Sequence, residues 1–127
     1  MQRAFTASAG EGRYWVEGTA IATGAGVTIH LSGGDRPHVG AVALGVPRPS
    51  LRDPARSSAT VSVLTLTGHR DDELARPLAQ LAAARLRQPV VVVVGVHVDG
   101  ATPEDIARLS EHTSAAAESL LKQLAQG

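Results

Sequence analysis

Val90-Val91-Val92-Val93-Val94-Gly95-Val96-His97-Val98-Asp99-Gly100 is the stretch on which the fold turns. An uninterrupted β-branched run reads as a strand covered on both faces. Side chains alternate along a strand, so His97 and Asp99 leave the same side. A helix start, Ala101-Thr102-Pro103-Glu104-Asp105, follows directly. A buried strand that ends in two polar groups and a turn is how a rigid scaffold presents a site. Two other loops repeat the theme, each after a predicted strand: Gly33-Gly34-Asp35-Arg36-Pro37-His38 and Gly68-His69-Arg70-Asp71-Asp72-Glu73. The expectation is that the three loops converge.

Downstream of the valines, Thr102 suits an N-cap, Pro103 the first helical position and Asp105 the acid of a capping box. Ile106, Leu109, Thr113, Ala116, Leu120 and Leu124 then form one apolar stripe, with His112 on the exposed side. Upstream, residues 71–87 read as a helix with Leu74, Leu78, Leu81 and Ala82 at three- and four-residue spacing. Its acids Asp71, Asp72 and Glu73 complement the helix dipole, and Pro77 predicts a kink or a late start. Strands are expected over residues 13–22, 27–32, 39–46 and 59–67, the last buried on both sides. Gly24-Ala25-Gly26 marks a hairpin turn between the first two. His30 shares the polar face of its strand with Thr28 and Ser32. Residues 47–54 carry three prolines and read as an exposed loop, and residues 1–12 as a loose segment. Strands grouped ahead of helices favour α+β over alternating α/β. The expected architecture is a single domain over residues 1–127, with one largely antiparallel sheet of about five strands and two helices packed on it.

Composition narrows the function. With one Phe, one Tyr and one Trp, the core must be Val, Leu, Ile and Ala. A domain of this size buries about two thirds of its unfolded surface, so a real core is possible. There is no cysteine, which removes disulfides and thiolate metal sites. Acidic and basic residues balance at twelve each, against a nucleic-acid protein. No signal peptide or membrane span is read, so no membrane role is expected and the default location is the cytoplasm. The apolar stripe of the last helix is longer than a five-stranded sheet needs, and Ala115-Ala116-Ala117 permits close approach. A homodimer is therefore expected.

The loops carry the chemistry. Consecutive glycines at 33 and 34 let backbone N–H groups converge into an anion nest, with Arg36 as counter-charge and His38 presented by Pro37. The plain alternative is a hairpin turn. His97 and Asp99 on one strand face suit a divalent metal or acid–base work. The plain alternative is a hydrogen-bonded histidine beside a turn. The acids of residues 71–73 are explained by a capped helix start, which leaves His69 unexplained. His38, His69 and His97 are the candidate metal ligands. No nucleophile elbow, P-loop or zinc-finger spacing is present.

The three blocks, residues 33–43, residues 68–74 and residues 95–99 with Thr102-Pro103-Glu104, together resemble the LpdD family. The resemblance runs over residues 13–124 in one order; Pro77 departs from the continuous helix it implies. It implies a chaperone for prenylated flavin mononucleotide that accompanies a UbiD-like decarboxylase such as gallate decarboxylase, rather than an enzyme. It also implies a fold similar to proteasome assembly chaperones. Carried over onto this chain, the cofactor-binding residues are Gly33, Gly34, Asp35, Arg36, His38, His69, His97 and Asp99. Whether a divalent metal is bound with the phosphate stays open. The competing reading is a small metal-dependent enzyme using His69, His97 and Asp99 on a phosphorylated or carboxylated substrate. A third is a pure assembly module whose loops are structural.

Overall fold

The segment that reads as loose is a strand. In the computed structural model, which describes residues 1–66 and 70–126, β1 is Arg3–Ala9. It is followed by a 3-10 turn at Gly12–Tyr14, β2 (Val16–Ala22), β3 (Val27–Gly34), β4 (Ala41–Pro49) and β5 (Ser57–Thr65). Then come α1 (Asp72–Leu86), β6 (Val90–His97) and α2 (Pro103–Gln126). The sheet thus has six strands rather than five, in the order β1-β2-β3-β6-β4-β5. All neighbours are antiparallel except β3 and β6. β1 escapes sequence patterning because it is an edge strand of small residues; only Phe5, Ala7 and Ala9 pack on the core.

β6 lies between β3 and β4, so the valine run is the middle of the sheet, as its composition implies. It is not covered on both faces, however. Val90, Val92 and Val94 are buried, and Val91 and Val93 only half-buried. Both helices lie on one side: α1 on β4, β5 and β6, α2 on β1, β2 and β3. The other face of the sheet is open. For the same reason β5 is not buried on both sides, and Leu64 is 78% exposed.

The helices differ from their sequence patterns in which side they bury. In α1 the buried residues are Ala75, Ala79, Ala82 and Ala83, whereas Leu81 is exposed. The alanines let the helix approach the sheet closely: a side chain on Gly45 of β4 would collide with Ala79 and Ala83. In α2 the buried residues are Leu109, Thr113, Ala116, Ala117, Leu120 and Leu121, so the stripe proposed for dimer contact is spent on the sheet. Its first member, Ile106, is the exception at 59% exposed. The capping box forms as read: Thr102 N–H donates to Asp105 Oδ2 (2.9 Å) and Asp105 N–H to Thr102 Oγ1 (3.1 Å). α1 and α2 are clamped by a bidentate pair from Arg85 to Glu118, at 2.8 and 2.7 Å.

Prolines are tolerated where a donor is dispensable. α1 runs without a break through Pro77, which sits on the exposed side where water can serve the orphaned carbonyl. β4 continues through Pro47 to Pro49, into the stretch expected to be loop. Its pairing with β6 ends at Gly45, so from there it has one neighbour and behaves as an edge. The hairpin at residues 23–26 forms, with Thr23 N–H on Gly26 O and Gly24 at φ +93°. His30 is exposed on the open face, as expected. His112 is not merely solvated: its Nδ1 lies 2.8 Å from Tyr14 O and ties α2 to the 3-10 turn. Among the described residues no helix is long and apolar enough to cross a membrane.

Candidate functional site

The loop that joins β3 to β4 runs along the end of β6 and continues its hydrogen bonding. Asp35 and Arg36 N–H donate to His97 O (2.7 and 3.3 Å), His38 N–H to Gly95 O (3.3 Å) and Gly40 N–H to Val94 O (2.9 Å). Glycines allow this proximity. A Cβ on Gly95 would overlap His38 O, and one on Gly34 would overlap His97 O. Two of the three predicted loops therefore converge at one end of the sheet. The start of α1 joins them through Asp71. Thr67, Gly68 and His69, and with them the expectation for His69, lie outside the described residues.

The details correct the anion nest. Gly34 N–H is taken by Trp15 O, and those of Asp35 and Arg36 by His97 O. Gly33 lies against Trp15 and Val16 with no room for a side chain. The two glycines build the loop, and their neighbourhood presents no idle donors to a phosphate. Asp35 is equally committed. Its Oδ2 accepts from Asp99 N–H (2.9 Å) and from Arg13 (2.8 Å), which also donates to Asp99 O (2.9 Å). Asp99 in turn meets Arg36 Nε (3.2 Å) and His97 Nε2 (3.0 Å) through Oδ1. The pairing of His97 with Asp99 expected from strand alternation is thus present, on the solvent side.

His38 points elsewhere. Its Nδ1 lies 2.7 Å from Arg36 O and its Nε2 3.0 Å from Asp71 Oδ2. Asp71 is 5% exposed, and its Oδ1 accepts Val96 N–H (3.2 Å). One carboxylate so fastens the head of α1 to the end of β6 and to the loop. His38 and His97 each meet a different carboxylate. Among the described residues no group of three or more His, Cys, Asp or Glu side chains could hold a metal ion. The metal-dependent reading finds no support there.

The Asp99 N–H, then the Arg13 guanidinium, hold the Asp35 carboxyl below the usual carboxylate range. Asp105 is lowered in the same direction, first by Thr102 N–H and then by the Tyr14 hydroxyl. A carboxyl lowered in the folded state stabilises the fold above its ordinary value. That contribution is lost as pH falls through the lowered one. Thermal melts should therefore show stability dropping below about pH 4. Asp35→Asn should flatten that slope and leave the melting temperature between pH 6 and 8 less sensitive to pH than to the substitution itself.

Beside these loops, between the heads of α1 and α2, lies a cleft of about 370 Å³. That is within the range of small-molecule sites, roughly 300–1,000 Å³. Leu74, Val96, Ile106 and Leu109 give it apolar walls; Arg70, Glu73, His97 and Ser110 give it polar ones. Of the expected site residues that fall among the described ones, only His97 lines it. Asp35, Arg36, His38 and Asp99 stand behind or beside it as supports. Leu74, Ile106 and Leu109 line the cleft without a signal in the sequence, because a helical stripe reads the same whether it meets a sheet or an open cleft.

Known proteins resemble the chain in two ways. No curated protein matches in sequence. A crystal structure of a novel chaperone complex for yeast 20S proteasome assembly matches in fold, with TM-score 0.61, 14% identity and 96% of each chain covered. The profile of the prenylated flavin chaperone LpdD-like domain matches residues 10–125. That span starts just after β1 and includes the three loops, the cleft and both helices, so the chain belongs to the LpdD-like family of prenylated flavin chaperones.

Proposed function

We propose that this protein binds reduced prenylated flavin mononucleotide in the cleft between α1 and α2 and delivers it to a UbiD-like decarboxylase, acting as a homodimer. The observation that carries the reading is the cleft itself: an apolar slot with Ile106 in its wall, bounded at one end by His97. The slot suits fused rings. Arg70 lines it and, with His97, would serve a phosphate, against the Asp71 and Glu73 carboxyl groups that line the same cleft. The cleft combines apolar walls with a few charged side chains, which suits cargo that must be released. The loop of residues 33–38 holds His97 in place, and the N–H groups of Gly34, Asp35, Arg36 and His38 are taken by main-chain carbonyls.

The test is co-production of the protein with a UbiD-like decarboxylase and the machinery that makes the prenylated cofactor. The expected result is a higher fraction of cofactor-loaded, active decarboxylase than without it, and no decarboxylation by this protein alone. Equal loading with and without it would refute delivery.

A further inference from the structure

We propose that a second pocket, at the tail of α1, binds the phosphate group of a small phosphate ester through Arg48, Arg56 and Arg87. α1 has 15 residues and is about 22 Å long, which separates this pocket from the cleft at the helix head. The pocket holds about 230 Å³. Its arginines come from three places in the chain: Arg48 from β4, Arg56 from just before β5, and Arg87 from the C-cap of α1. Arg48 is fixed in advance. Its Nε donates to Thr60 Oγ1 (2.8 Å) and its Nη1 to Pro49 O (3.1 Å), which leaves Nη2 without a partner among the described residues. Pro47, Pro49 and Pro54 stiffen the rim, and Ser57 adds a hydroxyl.

Three observations point to an anion. First, no carboxylate lines the pocket among the described residues. Asp53, the nearest in sequence, serves its own loop by accepting Ala55 N–H (3.1 Å). Elsewhere guanidinium groups meet acids: Arg13 meets Asp35, Arg36 meets Asp99, Arg85 meets Glu118 and Arg108 meets Glu104. Second, Arg87 is the one non-glycine residue at positive φ among the described residues, at +56°. Glycine is the usual residue at such a helix end, and a side chain there is strained. The helix dipole favours a cation at this end, but Arg85 in the last turn already supplies one. Strain kept for a long cationic side chain points to a ligand. Third, the number of donors selects the anion. A carboxylate has two oxygens and one charge, and a single guanidinium fork satisfies it. Three guanidinium groups and a hydroxyl suit a dianion with three terminal oxygens, which a phosphate ester presents.

Calorimetric titration with inorganic phosphate at neutral pH and constant ionic strength tests this. The parent should bind phosphate, and succinate, a dianion of carboxylates, more weakly. Arg56→Ala and Arg87→Gly should each weaken phosphate binding at least about tenfold, the loss of one charge-assisted contact. Both side chains are exposed, so the fold should stand. Arg87→Gly should also raise the melting temperature without phosphate, because glycine relieves the positive φ. Arg76→Ala removes the same charge from an exposed position of α1 that lines neither cavity, and should leave phosphate binding unchanged. Phosphate should move the amide NMR signals of Arg56, Ser57 and Arg87, which separates this pocket from the cleft. The proposal is overturned if phosphate does not bind, if it moves only signals around the cleft, if succinate binds as tightly, or if Arg76→Ala loses as much as Arg56→Ala.

Discussion

Ile106→Glu should lower the affinity for reduced prenylated flavin mononucleotide by about a hundredfold and abolish loading of the decarboxylase. Ile106 is largely exposed and lines the cleft, so the change costs the fold little. Covering an isoleucine with a ligand ring is worth about 1.5–3 kcal/mol. A carboxylate in its place forfeits that and also faces an anionic ligand. Anaerobic titration followed by flavin absorbance or fluorescence reads the affinity, and a melt checks the fold. Ile106→Ala should lose about tenfold, as contact is removed without adding charge. An Ile106→Glu protein that binds and loads like the parent would place the rings elsewhere.

Asp71→Ala should have the largest effect on stability, about 3–5 kcal/mol. Asp71 is buried, pairs with His38 and accepts Val96 N–H, so its loss takes a partner from both at once. The His38 ring is held from both sides, with Nδ1 2.7 Å from Arg36 O and Nε2 3.0 Å from Asp71 Oδ2. Removing the carboxylate takes away the acceptor at Nε2 and leaves the main-chain N–H of Val96 without its own. Gly40 packs directly on the same carboxylate, so the loop and the head of α1 would lose their common anchor. Urea unfolding gives the number. Flavin binding should fall as well, because Asp71 and the neighbouring Arg70 and Leu74 belong to the cleft. By contrast Arg85→Ala, which breaks an exposed pair with Glu118, should cost about 1 kcal/mol or less.

Local patterns were enough for much of this. The valine run announces a central strand, Thr102 with Asp105 announces a helix start, and Gly24 with Gly26 announces a hairpin. Strands before helices announce the class. Each of these is decided within a few residues, by propensity, capping or turn geometry. The two glycine-bearing loops at residues 33–38 and 95–99 were also legible, since a chain marks its tight approaches with glycine.

Other features depend on what lies across the fold. An edge strand such as β1 needs only a neighbour to pair with, and its alternation of small residues is too weak to see in sequence. Whether α1 turns its alanines or its leucines inward is settled by how near the sheet it must come, and Gly45 sets that distance. Whether valines are covered on one face or two depends on where both helices go, and both go to the same side. The roles of His38 and His97 follow from the carboxylates they meet, one of them 33 residues away. The cleft belongs to no segment. It is the space left where two helix heads diverge over the end of β6, and only the packing of all three creates it.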